Sequence, residues 1–108
     1  DIVAVVKIDG EDIKKYGVVE LGDENKIVGF EEKPENPRTN LASTGIYLFQ
    51  KETLEFIKRY KEESNNMENL GLFLQWLFNR KDIYACVYEG KWFDIGTHED
   101  LAKARLEF

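Results

Sequence analysis

Ile2-Val3-Ala4-Val5-Val6-Lys7-Ile8 is an almost unbroken run of apolar, mostly β-branched residues. Such side chains are stiff at χ1 and fit a pleated surface. Without polar alternation, the run reads as a strand covered on both faces, as in a parallel or mixed sheet. Gly10 breaks it, and residues 11–16 form a short polar connection of about one helical turn.

Working outward, Val18-Val19-Glu20-Leu21 and Lys26-Ile27-Val28-Gly29-Phe30 flank Gly22-Asp23-Glu24-Asn25, a hairpin signal. Residues 33–40 hold both prolines and read as a loop, and residues 42–49 as another strand. Two helices follow. Leu54, Ile57 and Tyr60 mark one apolar face, and Leu70, Phe73, Leu74, Leu77 and Phe78 mark the next, both expected in the core. Residues 83–88 read as a strand and Trp92-Phe93-Asp94-Ile95 as a second short one. Thr97, with Asp100 three residues on, caps a last helix through Leu101, Ala104 and Leu106. Strands alternating with helices, plus one hairpin, give an α/β class with a mixed sheet.

The chain has 108 residues, which sets one domain or part of one. It carries 43% hydrophobic residues with two Trp, five Tyr and seven Phe, enough apolar surface to exclude disorder. No apolar run approaches the roughly 18 residues of a membrane helix, so no membrane partner is expected. Residues 2–6 are too short for a signal peptide core. The net charge of −6, with Lys and Arg scattered among acids, speaks against nucleic acid as a partner. A small phosphate-bearing ligand needs only one or two placed cations. Cys86 is the one cysteine and lies between Ala85 and Val87, so a buried structural thiol is expected. With one Cys and one His, His98, a Cys/His metal site within the chain is excluded.

Four clusters can carry chemistry. Glu31-Glu32-Lys33-Pro34 ends a strand, and Pro34 biases Lys33 toward extended backbone. Strand ends are where α/β proteins bind ligands. There Lys33 can neutralise a phosphate and Glu32 can accept from hydroxyl groups, or both are simply solvated. In Gly90-Lys91-Trp92-Phe93-Asp94-Ile95-Gly96-Thr97, Asp94 sits among bulky apolar residues. It is either a ligand for a hard cation such as Mg²⁺ or a turn residue accepting backbone hydrogen bonds. Tyr16-Gly17-Val18-Val19 and Ser43-Thr44-Gly45-Ile46-Tyr47 each place a glycine in a strand, where a ligand or backbone can approach closely.

In this order and spacing, the four motifs resemble the sugar-1-phosphate nucleotidyltransferases, over essentially all 108 residues. The group includes glucose-1-phosphate thymidylyl- and uridylyltransferases and mannose-1-phosphate guanylyltransferases. The resemblance implies a partial Rossmann-like, three-layer α/β/α fold with a mixed sheet. It implies a cytoplasmic enzyme that joins a nucleoside triphosphate to a sugar 1-phosphate with Mg²⁺ and releases pyrophosphate. Residue by residue, Asp94 resembles the second carboxylate of the Mg²⁺ site and Lys33 the lysine on the sugar phosphate. Glu32 resembles the acid that binds sugar hydroxyls. Tyr16 and Gly17 resemble the sugar-contacting pair, and Ser43 and Thr44 lie on the strand facing the sugar. The glycine-rich nucleotide loop and the first metal aspartate of that group are not in this sequence. Residues 1–108 are therefore expected to be the C-terminal, sugar- and metal-binding half of a catalytic domain, inactive alone. Either a second copy or the missing half is expected to pair with it. A non-catalytic regulatory subunit or sugar-phosphate-binding module of the same fold is the alternative. Asn65 and Asn66 are read as a cap or turn, or as reaching the sugar phosphate.

Overall fold

The computed structural model describes residues 1–64, 69–90, 92, 94, 95 and 97–107. Its strands are β1 (Ile2–Lys7), β2 (Gly17–Leu21), β3 (Ile27–Glu32), β4 (Leu41–Leu48) and β5 (Tyr84–Val87), in the sheet order β3-β2-β4-β1-β5. The helices among the described residues are α1 (Thr53–Ser64), α2 (Leu70–Leu77) and α3 (His98–Glu107). A 3₁₀ turn over Gly10–Lys15 fills the polar connection. The sheet is mixed: β1 runs antiparallel to β4 and parallel to β5. The apolar run at the chain start therefore forms a central strand. Among the described residues no helix is long and apolar enough to cross a membrane.

The period-2 geometry of β1 divides its side chains between two apolar layers. Val3 and Val5 join Val19 beneath Tyr60, Phe73, Leu74 and Leu77 of α1 and α2. Val6 goes to the opposite face with Val18, Ala42 and Ile13. Full burial of one such side chain is worth about 1.5–3 kcal/mol over exposure, so the helix layer is held mainly by this contact.

Four expectations change here. On α1 the inward stripe is Thr53, Phe56, Ile57 and Tyr60, while Leu54 is 52% exposed. The buried hydroxyl of Thr53 rotates the helix by serving a polar contact below it. On α2, Leu70 is exposed and the buried first turn is made by Gly71. Cys86 is exposed, because Ala85 takes the inward position on β5 and the next residue must face the other way. Trp92, Asp94 and Ile95 carry no strand pairing. The predicted cap at Thr97 does form: its Oγ1 accepts from Asp100 N–H at 3.0 Å.

Below α1 lies a buried polar knot. The Asp1 side chain is fully buried and accepts from Gln50 N–H at 2.7 Å and Thr53 Oγ1 at 2.8 Å. Lys81 Nζ lies 3.3 Å from Asp1 and donates to Thr53 Oγ1 at 2.6 Å and Gln50 Oε1 at 3.0 Å. It ties β1, the start of α1 and the segment after α2 together. On the face away from α1 and α2, Leu48, Ile2 and Tyr84 stand in register across β4, β1 and β5, at 67%, 42% and 38% exposure.

Candidate functional site

The open end of the hairpin, the middle of β4 and the start of α2 enclose a cleft of about 360 Å³. Tyr16, Gly17, Glu32, Ser43, Thr44 and Asp94 line it, so six of the seven residues singled out in the sequence converge on one place. Lys33 is not among the lining residues. Lys15, Phe30, Tyr47, Asn69, Gly71 and Trp92 line it as well. Of the further sequence readings, Asn65 and Asn66 lie outside the described residues, as do Lys91, Phe93 and Gly96 of the fourth motif.

The cleft begins with strand pairing. Gly17 sits opposite Glu32 in the β2–β3 ladder. A side chain at position 17 would meet the Phe30 ring at 2.7 Å, so the glycine lets that ring close the cleft floor. Tyr16 packs edge-on against Trp92, with ring centroids 5.3 Å apart. Burial pushes the Tyr16 phenol up, and the negative charge of Asp94 adds to it, as do Asp12 and Asp100 more weakly; Lys15 opposes. This corner of the cleft is thus electronegative, and Asp94 is exposed in it.

Lys33 departs from the extended backbone that Pro34 favours. Its φ is +47°, in the left-handed region, a conformation that costs a non-glycine residue about 1–3 kcal/mol. Its N–H donates to Tyr16 O at 3.1 Å, extending the hairpin ladder one residue beyond β3 before the chain turns away. That turn carries the side chain out of the cleft wall. Among the described residues Lys15, next to Tyr16, is the cation that lines it, with its Nζ 3.1 Å from Asp12.

On β4, Val3 pairs with Tyr47 and Val5 with Ser43, so Thr44, Gly45 and Ile46 all face Ala4 in a bulge. Gly45 has φ +86°, which a glycine adopts freely. Thr44 Oγ1 donates to Ala4 O at 2.9 Å and accepts from Ile46 N–H at 3.3 Å, replacing ladder bonds that the bulge removes. The bulge sets Ser43, Thr44 and Tyr47 on the cleft. Among the described residues Ser43 Oγ is buried without a partner in good hydrogen-bonding geometry, though it lies close enough to the Tyr47 hydroxyl to interact with it. Burial pushes the Tyr47 phenol up, Ser43 works against this, and the Glu32 charge adds to it.

Glu32 is the centre of the cleft. One carboxylate oxygen faces Gly17, where a β-carbon would come within 3.7 Å, and the other lies against the bare α-carbon of Gly71. Among the described residues no donor satisfies that carboxylate. Burial pushes its pKa above the ordinary 4.5, and the charge of Lys33 offsets part of the rise. Asn69 caps α2, its Oδ1 accepting from Gly71 N–H at 2.8 Å and Leu72 N–H at 3.2 Å. The sequence reading missed Lys15, Asn69 and Gly71. Asn before an apolar helical stripe is a cap signal, and a glycine inside that stripe signals a packing constraint, so two of the three had a trace.

The nucleotidyl transferase family profile matches residues 1–108. Glucose-1-phosphate adenylyltransferases of Bacillus thuringiensis (strain Al Hakam) and Bacillus cereus (strain Q1) are each 37% identical over 111 residues, covering 97% of this chain and 29% of theirs. Among solved structures, one described as a glucose-1-phosphate thymidylyltransferase from Bacillus anthracis in complex with sucrose superposes with a TM-score of 0.81 at 29% identity. It is covered over 42% of its chain, and this chain over 98%. A UDP-glucose pyrophosphorylase complexed with UDP-glucose gives 0.77 at 31% identity, over 98% of this chain and 43% of that one. The chain thus spans under a third of the length of the curated relatives it matches.

Proposed function

The chain belongs to the nucleotidyl transferase family, and on that premise we propose that it is the sugar- and metal-binding part of an enzyme that transfers a nucleotidyl group from a nucleoside triphosphate to a sugar 1-phosphate, giving an NDP-sugar and pyrophosphate. The observation that carries this is the Glu32 carboxylate, half-buried in the cleft and without a donor among the described residues. Water reaches this half-buried acceptor, and a ligand hydroxyl that displaces that water gains a charge-assisted hydrogen bond in a partly desolvated cleft. A polyhydroxylated sugar supplies such hydroxyls. Gly17 and Phe30 shape the floor beneath it, and Ser43, Thr44 and Tyr47 form the wall on β4.

The sugar phosphate belongs at the electronegative corner only if a cation accompanies it. Asp94 suits that cation. It is one exposed carboxylate with Asp12 and Asp100 adding negative potential, and Mg²⁺ commonly takes one or two carboxylates with phosphates and waters. When bound, Mg²⁺ would polarise phosphate oxygens and neutralise developing charge. Lys15 adds a cation from the wall itself, its ammonium 3.1 Å from Asp12, and Lys33 contributes positive potential beside Glu32 from outside the wall. No covalent intermediate is invoked. The phosphate oxygen of the sugar attacks the α-phosphorus of the triphosphate, the bond to pyrophosphate breaks, and this chain's residues orient and stabilise. Pyrophosphate release by the full-length protein, measured across sugar 1-phosphates and nucleoside triphosphates, tests the reading. Well-folded protein that releases none with any pair overturns it.

Glu32→Gln separates recognition from stability. Burial raises the folded-state pKa of Glu32, so the folded protein holds its proton more tightly than the unfolded chain. Ionisation therefore costs stability, which falls as pH rises from 4.5 through the raised value. Among the described residues, the charged groups bearing on Glu32 are Lys33, one residue beyond its strand, and, once ionised, Tyr47 on β4; α2 carries no charged residue. Glu32→Gln is expected to melt no lower than wild type at neutral pH while binding sugar 1-phosphate less tightly in calorimetry. A lower melting point at neutrality with unchanged affinity would reverse both assignments.

The exposed row Leu48, Ile2 and Tyr84 supports association with a second copy or with the part of the longer relatives outside the matched residues. Light scattering of the 108-residue chain alone is expected to show self-association. A clean monomer at high concentration would count against the second copy.

A further inference from the structure

Glycine is the poorest helix former after proline, so Gly71 in the first turn of α2 needs a local reason. Its backbone is not left-handed, and no tight turn lies there. The reason is contact: a β-carbon at position 71 would fall on Glu32 Oε2 and crowd its carboxyl carbon. One turn further along the same helix face, Gln75 Oε1 accepts the Glu32 backbone N–H at 2.9 Å. That N–H points away from β2, because β3 is the edge of the sheet. One helix face thus holds Glu32 twice, by its main chain and by the shape left for its side chain.

Resting on the functional reading above, we propose that Gly71 and Gln75 are positioning residues that aim the Glu32 carboxylate at the hydroxyl groups of the bound sugar 1-phosphate. Neither touches the ligand through a polar side-chain group of its own in this role. Gly71 keeps the carboxylate between α2 and Gly17, with its oxygens free of donors among the described residues. Gln75 fixes the strand end from which it projects. Selection of the sugar is therefore set partly by α2, outside the motifs that carry the chemistry.

The test is a double-mutant cycle in the full-length protein, with the Michaelis constants for the two substrates measured separately. Gly71→Ala favours the helix, so a melting curve no lower than wild type is expected, apart from any loss caused by moving Glu32. Its KM for sugar 1-phosphate is expected to rise on the order of 10–100-fold, the size of one lost charged hydrogen bond, with the KM for nucleoside triphosphate unchanged. Glu32→Gln is expected to do the same, and the double variant to be no worse than the worse single one. Gln75→Leu shifts the same constant in the same direction by less. Losses that multiply in the double variant, or a Gly71→Ala enzyme with unchanged KM for the sugar phosphate, overturn the proposal. If wild-type protein binds no sugar 1-phosphate, the functional reading fails, and the positioning claim is judged on the Glu32 carboxyl titration by NMR. A titration moved toward the ordinary glutamate value in Gly71→Ala upholds it, and an unmoved one overturns it.

Discussion

Asp94→Ala in the full-length protein is expected to cut pyrophosphate release about 100-fold or more, with the folded state intact. The size follows from what a bound divalent cation contributes to phosphoryl chemistry, several kcal/mol, at 1.36 kcal/mol per tenfold in rate. The folded state should survive because Asp94 is exposed and packs into no core layer. Asp94→Asn keeps the shape and removes the charge, so it should lose nearly as much, and added Mg²⁺ should recover part of its rate but not the alanine variant's. Local potential gives a second readout. The charge of Asp94 helps hold the Tyr16 phenol up, so Asp94→Asn should let that phenol titrate lower, visible by ultraviolet absorbance. Release that persists in both variants would remove Asp94 from the metal site and leave the sugar-binding reading to stand on Glu32 alone.

Lys81→Met is expected to cost about 3–5 kcal/mol of stability, the usual cost of orphaning one member of a buried ion pair. A whole domain is stable by only about 5–15 kcal/mol. The Asp1 carboxylate has no exposure, and Lys81 is 18% exposed. Removing the ammonium leaves Asp1, among the described residues, with donors from Gln50 and Thr53 alone, and removes the donor to Thr53 Oγ1. Urea melts should show the midpoint fall with little change in slope. Lys58→Met is the matched control: its pair with Glu55 is exposed on both sides and should be worth about 0–1 kcal/mol. Equal losses in the two variants would mean that the knot beneath α1 contributes no more than a surface pair.

Much of this was legible in local pattern. The β-branched run at residues 2–8 reads as a two-faced strand because side-chain alternation is a property of the strand itself. The hairpin around Gly22-Asp23-Glu24-Asn25 and the Thr97 cap rest on bonds between near neighbours, so sequence spacing is enough to find them. Leu54 and Leu70 misled because a helix has several apolar positions, and only its docking shows which ones face the sheet. On α1, Thr53 turns inward to bond Asp1, fifty-two residues away in the chain, and no helical periodicity contains that. Lys33 misled for a related reason. The preference imposed by Pro34 is worth little against a ladder bond to Tyr16 that exists only once the hairpin has closed.

By itself, the sequence determined the class of fold, the central strand, the hairpin and the residue types, polar and charged beside glycines, that line the cleft, since each depends on side-chain chemistry or short-range geometry. The tertiary structure alone decided which of those residues meet. It gathered Tyr16, Gly17, Glu32, Ser43, Thr44 and Asp94 on one cleft, put Lys15 rather than Lys33 in its wall, and pressed Gly71 against Glu32. Those contacts join distant parts of the chain, and their geometry follows from how β3, the β4 bulge and α2 pack, which no single segment encodes.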